Sequence, residues 1–164
     1  MAGYGFVNLP PGKRQEGVTG EGKPLVMNAP LLARILGVLF LLVGIAGFLP
    51  YVTASMPFDA QVVTLDHAYR MLAYLFPVNA VHDGLHIFFG LWGLVAARKF
   101  AKAVTYCRIV TWVYAVLVVL GSIPITDTLF GVAPIYGYDV ALHAFILLLA
   151  AYAGYGRGSL ENPV

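Results

Sequence analysis

The sequence predicts an all-α fold, a polytopic membrane bundle of four helices. The first observation is composition: 60% of the 164 residues are hydrophobic and 11% are charged. A soluble domain carries about a quarter charged residues, so this deficit indicates lipid as the solvent. The second observation is four apolar segments, each near the ~20 helical residues that cross a bilayer core. The chain length is typical of one domain.

Proline or glycine brackets each predicted span, as expected of helix ends. The first span ends at Pro50, the second begins at Pro77, and the third ends at Pro124. A series of glycines follows the fourth. The predicted spans are residues 31–49, 77–97, 104–123 and 138–155.

The distribution of basic residues predicts the orientation of the bundle. Of the ten Lys and Arg residues, all but Arg70 lie before or in the first turn of span one, around the second connection, or after span four. The positive-inside rule therefore predicts that both termini are cytoplasmic. Residues 1–30 form a Gly- and Pro-rich tail without periodicity, which is expected to be disordered when alone and is interpreted as a docking arm. Residues 31–156 form the membrane domain, and residues 157–164 form a second cytoplasmic tail.

The first external loop, about Tyr51–Phe76, is long for a connection within a bundle. Its second half has apolar residues near helical spacing, and it has an acid–base pair four residues apart. These residues are Leu65, Asp66, Tyr69, Arg70, Leu72 and Phe76. The pattern predicts a short amphipathic helix on the external surface. The alternative is one helix that continues into span two with a kink at Pro77.

Span two carries a polar stripe. His82 and His86 are four residues apart and share one helix face. Asn79 belongs to the same face, and Asp83 lies beside it. Ionisable groups in hydrocarbon are costly unless they pair, bind a ligand or face water, so they are candidates for a functional site.

Span four carries a matching pair, Asp139 and His143, which share a face one turn apart. At 1.5 Å per residue, His82 and His143 both lie about 8 Å from the external ends of their helices. We therefore expect the two helices to bring three imidazoles and two carboxylates together in the external leaflet.

Three hypotheses explain this polar cluster. The first is a structural hydrogen-bond network that fixes how spans two and four pack. The second is a ligand set for haem iron, for the magnesium of a chlorophyll, or for a transition metal. The third is part of a proton or ion pathway. In the second hypothesis the ligands are His82, His86 and His143, supported by Asn79, Asp83 and Asp139.

Other functional classes find little support in the chain. The net charge is only +2, and the basic residues are not interleaved with aromatics on one face, so nucleic acid is not an expected partner. No Gly-rich phosphate loop or nucleophile elbow is present, and we predict that the protein is not an enzyme. The expected partners are membrane lipids and other membrane-protein subunits.

Several motifs resemble the bacterial membrane family known as domain of unknown function 4383. They are the segments Gly47–Pro50, Leu75–His86, Phe89–Leu94 and Gly137–His143. The resemblance extends over about residues 34–156, and its most specific part is the set Asn79, His82, His86 and His143. It implies a four-helix fold and no particular activity. Asp83 stands where the family pattern leads us to expect Asn.

The leading functional hypothesis is a non-catalytic accessory or scaffolding subunit of a photosynthetic or respiratory complex. Its location would be a bacterial inner or photosynthetic membrane. The alternative is a protein that binds a tetrapyrrole (chlorophyll or haem) or a metal through the histidines. A component of a proton or ion pathway is the second alternative.

Overall fold

The computed structural model describes residues 28–156, which form four helices and a small sheet. The helices are α1 (Ala29–Gly47), α2 (Ala80–Ala96), α3 (Phe100–Gly121) and α4 (Tyr138–Tyr155). Every helix end lies within four residues of the corresponding end of a predicted span. Helices α1, α3 and α4 are long and apolar enough to cross a membrane, whereas α2 has 17 residues and is shorter. The prediction of four apolar helices is confirmed, and three of them are long enough to cross a membrane.

Asparagine caps determine where the first two helices begin. The Oδ1 atom of Asn28 accepts a hydrogen bond from the Leu31 N–H at 2.9 Å. The Oδ1 atom of Asn79 accepts one from the His82 N–H, also at 2.9 Å. Such caps satisfy N–H groups that a helix leaves free in its first turn. Helix α2 therefore begins at Ala80, three residues after the proline at which its start was predicted.

The loop between α1 and α2 folds into a three-stranded antiparallel sheet. Its strands are β1 (Thr53–Ser55), β2 (Arg70–Leu72) and β3 (Phe76–Val78), in that spatial order. In the register, Leu72 lies opposite Thr53 on one side and opposite Phe76 on the other. Pro77 is in the edge strand β3, where a residue without an N–H is tolerated.

The predicted external helix is wrong, and so is the alternative of one helix continuing through Pro77. The apolar residues interpreted as one helical face belong to two strands and the turns around them. Ala68, Ala73 and Tyr74 have φ angles of 56°, 50° and 61°, which interrupt any right-handed helix. The fold is consequently not purely helical.

Helix α1 packs chiefly on α2, and α3 packs chiefly on α4. Glycines bring α1 and α2 close together: a Cβ atom on Gly90 would lie 2.8 Å from the Leu41 nitrogen and 2.9 Å from the Gly37 oxygen. We call this contact the glycine seam. Small residues allow membrane helices to approach in this way without a large apolar driving force.

The two ends of the bundle differ. Segments 48–79 and 122–137 cover one end, which we call the loop end. The start of α1, the end of α4 and the α2–α3 turn meet at the other, which we call the terminal end. There the Cys107 thiol lies 3.9 Å from the Ala29 carbonyl, and Arg108 Nε donates to the Gly154 carbonyl at 2.8 Å. Which end faces the cytoplasm stays a prediction, and the tails 1–27 and 157–164 lie outside the described residues.

Candidate functional site

Three imidazoles meet near the loop end. His82 and His86 come from the first two turns of α2, and His143 comes from the second turn of α4. All three are buried, and one ligand atom from each lies within 4.8 Å of the other two. The ring centroids of His82 are 4.7 Å from His86 and 6.0 Å from His143. The structure thus places the three histidines together at one depth, as expected.

His82 is oriented by a backbone carbonyl. Its Nδ1 atom lies 2.9 Å from the Pro134 oxygen. Because a carbonyl only accepts, this nitrogen carries the proton and donates. The lone pair then resides on Nε2, which is the arrangement found when an outer partner prepares a histidine to bind a metal.

The other two imidazoles have unsatisfied nitrogens. The Nδ1 atoms of His86 and His143 are buried and have no hydrogen-bond partner among residues 28–156. Asp139 lies one turn before His143, and its Oδ2 atom is 3.5 Å from His143 Nε2. That distance is at the outer limit for a hydrogen bond, so the carboxyl neighbours the ring without being bonded to it.

Aromatic rings hold the cluster from the side opposite the loops. The ring of Tyr114 meets His143 edge-on at 4.8 Å, and Phe40 lies 5.5 Å from His86. Phe40 and Tyr114 stack on each other at 5.7 Å. Tyr114 is 3% exposed and contacts the site, although the sequence analysis did not single it out. Only its depth within α3 could have signalled this role.

Two apolar cavities border the histidines. One cavity, of about 310 Å³, touches all three rings. The rest of its lining consists of Tyr114 and of apolar side chains from α2, α3 and segment 122–137. A second, of about 240 Å³, reaches His82, His86 and Asp139 from the side of the sheet. The imidazoles therefore separate two spaces rather than packing against a closed core.

Asn79 contributes to the site through the backbone. Besides capping α2, its Nδ2 atom donates to the Leu65 and Val132 carbonyls, each at 2.8 Å. It thus ties both long loops to the start of α2, and it does not bond an imidazole. The supporting role predicted for it is indirect, since it positions the turn that carries His82.

Asp83 does not join the imidazoles. Its side chain is fully buried on the α1 face of α2, where it packs against Gly47. Neither carboxyl oxygen has a hydrogen-bond partner among the described residues. The expectation of two carboxylates beside the histidines therefore holds for Asp139 only, because neighbouring residues on a helix point about 100° apart.

The predicted hydrogen-bond network between α2 and α4 is absent from the described part of the chain. The His82 ring and the capping Asn79 bond to loop carbonyls, whereas His86 Nδ1 and the Asp83 oxygens have no partner among residues 28–156. The polar side chains of α4 lie near each other. Across the two helices the histidines meet only ring to ring. The cluster is thus a group of buried imidazoles, two of which have a nitrogen without a partner among the described residues. It is not a hydrogen-bonded link between α2 and α4.

A pair of phenols locks the loops over the site. The hydroxyls of Tyr69 and Tyr136 share a hydrogen bond at 2.7 Å, and Tyr69 also donates to the Gln61 carbonyl at 2.8 Å. Burial, followed by the bond to Tyr136, raises the pKa of Tyr69 well above that of a free phenol. The pair consequently stays protonated at neutral pH, and it joins segment 48–79 to segment 122–137 two residues after Pro134.

The family model described as Domain of unknown function (DUF4383) matches residues 31–156. The chain belongs to this family. That confirms the resemblance noted in the sequence, and the matched region includes the three histidines and all of the four helices except the first two residues of α1. No curated protein and no solved structure was found to match the chain. The family description names no activity, so the site alone must support any function.

Proposed function

We propose that this membrane protein binds a transition-metal ion through His82, His86 and His143. The observation that supports this most is the convergence of three buried imidazoles whose ligand atoms lie within 4.8 Å. An unpaired buried polar atom costs about 1–3 kcal/mol. A bound ion would satisfy these nitrogens together, which explains why the fold tolerates them.

The distances suit a small ion. Metal–imidazole bonds of about 2.0–2.1 Å place tetrahedral ligand nitrogens about 3.4 Å apart. Small side-chain rotations of His86 and His143 would close the present spacing to that value. His82 is already oriented by Pro134, so it would need the least adjustment.

The donor set indicates the class of metal. Nitrogen ligands without thiolates suit zinc, copper, iron or nickel rather than magnesium or calcium. Three neutral ligands leave the charge of the ion uncompensated, and burying a charge in an apolar site is costly. Asp139, next to His143, would offset one positive charge. We therefore propose zinc or copper(I) as the ions to test first.

A tetrapyrrole fits the same residues less well. Within haem or chlorophyll the macrocycle occupies the equatorial positions of the metal, so imidazoles bind only along the axis. Three imidazoles that converge on one point exceed what such a metal accepts. The bare ion is therefore preferred to the haem or chlorophyll hypothesis.

The proposed site is of the open kind. Three protein ligands leave a coordination position free, which is typical of zinc sites that bind a further molecule rather than of purely structural ones. The cavity of about 310 Å³ touches all three rings and has an apolar lining. A small uncharged molecule is the expected additional ligand.

Metal analysis of the purified protein tests this proposal. The protein is loaded with zinc, or with copper(I) under reducing conditions, and is then desalted. The bound metal per protein is measured by inductively coupled plasma mass spectrometry. We expect about one equivalent in the wild type and a loss of more than about tenfold in affinity for His86→Ala. The matched control is His67→Ala, which removes the exposed histidine outside the cluster.

The control decides the interpretation. Equal metal retention by His86→Ala and His67→Ala would contradict the proposal. An absorption spectrum of the same samples separates the alternatives, because a Soret or Q band lost in His86→Ala would instead favour a tetrapyrrole.

The role of accessory subunit in a photosynthetic or respiratory complex stays a prediction, as do the absence of enzymatic activity and the proton-pathway alternative. The accessory role depends on the N-terminal tail, which lies outside the described residues. It is tested by co-purification in mild detergent, which deletion of residues 1–23 should weaken.

A further inference from the structure

A groove lies between α2 and α3 at the terminal end, far from the histidines. It has a volume of about 370 Å³ and is lined by Trp92, Val95, Ala96, Ala101, Lys102 and Thr105. Its surface is mostly apolar, and Lys102 is the one basic side chain among these lining residues. The groove exists because α2 packs on α1 and α3 packs on α4, which leaves a crevice between the two pairs.

The wall of this groove is held in place. Trp92 meets the ring of Tyr106 edge-on, with centroids 5.2 Å apart. Tyr106 is fully buried, and its hydroxyl donates to the Phe89 carbonyl at 3.2 Å. The Trp92 indole therefore forms one wall of the groove and does not fill it.

The rim of the groove carries positive charge. Arg98, Lys99 and Lys102 are all exposed and lie within five consecutive residues of the α2–α3 connection. Within residues 28–156, the carboxylates belong to the loops and helix starts of the loop end, at positions Asp59, Asp66, Asp83, Asp127 and Asp139. No described acid therefore neutralises this rim.

We infer that the groove binds an anionic phospholipid, with its phosphate on the basic rim and an acyl chain against Trp92. Basic residues next to an apolar crevice between membrane helices suit a negatively charged headgroup. An acidic soluble protein would use the cations but would leave the crevice empty. This inference is independent of the proposed metal site.

Trp92 reports directly on the occupant. In a Trp112→Phe background it is the sole tryptophan, because the chain has two. The protein is reconstituted with a minor fraction of brominated phosphatidylglycerol or of brominated phosphatidylcholine, and quenching of fluorescence is compared. We expect the anionic lipid to be clearly favoured, and Lys102→Gln to lower that preference about fivefold.

Two controls keep the test decisive. Arg70→Gln removes the same charge from the loop end and should leave the preference unchanged. High salt should reduce the preference without any mutation, since the headgroup contact is electrostatic. Equal quenching by the two lipids in the Trp112→Phe protein, or equal effects of Lys102→Gln and Arg70→Gln, would overturn the inference.

Discussion

The two faces of α2 contrast sharply. Toward α1 lies the glycine seam, where backbones nearly touch and a single methyl group would collide with the neighbouring helix. Toward α4 lies the histidine cluster, where the helices stay apart around two cavities. One helix of 17 residues thus has a closed side and an open side.

The closed side of α2 gives the fold its rigidity, and the open side leaves room for a ligand. The seam gains dispersion contacts along its length, which is the chief attraction available between helices in lipid. The open side gives up such contacts, and two of its imidazole nitrogens have no partner among the described residues. The Asp83 oxygens on the closed side also have none there, but they lie in tight packing against Gly47. A bundle selected for stability alone would have closed both sides, so the open side is the candidate for function.

The largest expected effect concerns the closed side. Gly90→Val should destabilise the protein by about 3 kcal/mol, because the added side chain must push against the Leu41 and Gly37 backbone. Thermal unfolding in detergent measures this. The matched control is Gly84→Ala on the same helix, where an added Cβ has nothing within 4 Å.

The control should behave in the opposite way. Gly84→Ala should be neutral or stabilise by up to about 1 kcal/mol, because alanine favours the helix more than glycine does. Similar losses in the two variants would show that the seam is not the tight contact described here.

A smaller loss of stability is expected at Asn79, which caps α2 and bonds to both loops. Asn79→Ala should cost about 2 kcal/mol, since it removes the α2 cap and leaves two loop carbonyls without a donor. Asn79→Asp keeps the capping oxygen but loses both donated bonds. An intermediate melting temperature for Asn79→Asp would separate the two contributions, and an unchanged one in Asn79→Ala would refute this role.

The smallest expected effect on stability concerns the open side. His86→Leu should change the metal-free protein by less than about 1 kcal/mol, because an apolar side chain of similar size replaces a ring with an unpaired nitrogen. Metal-free samples of both proteins are compared by thermal unfolding. A loss as large as that of Gly90→Val would mean that the histidines are structural.

Much of this architecture could be predicted from the sequence. Long apolar runs ending at Pro or Gly mark the helices because the cost of exposing backbone to lipid leaves few other structures. The i, i+4 spacing of His82 and His86, together with the depth of His143, was enough to predict that the three imidazoles lie close together. Those signals are periodic and local, so a single chain carries them.

Other features could not be predicted. Strands of three residues show no usable alternation, so the sheet was mistaken for a helix. The Pro134 carbonyl that orients His82 is a backbone group and has no signature in the sequence. Asp83 packs against Gly47 because α1 covers that face of α2. The pairing of helices depends on the whole fold, so the sequence did not predict this contact.

X-ray absorption spectroscopy of the zinc-loaded protein tests the central claim most directly. The account predicts a first shell of nitrogen at about 2.0–2.1 Å with the outer-shell scattering of about three imidazoles. His143→Ala should lower that imidazole count, and His67→Ala should not. A shell of oxygen alone, or one that is identical in wild type and His143→Ala, would contradict the account.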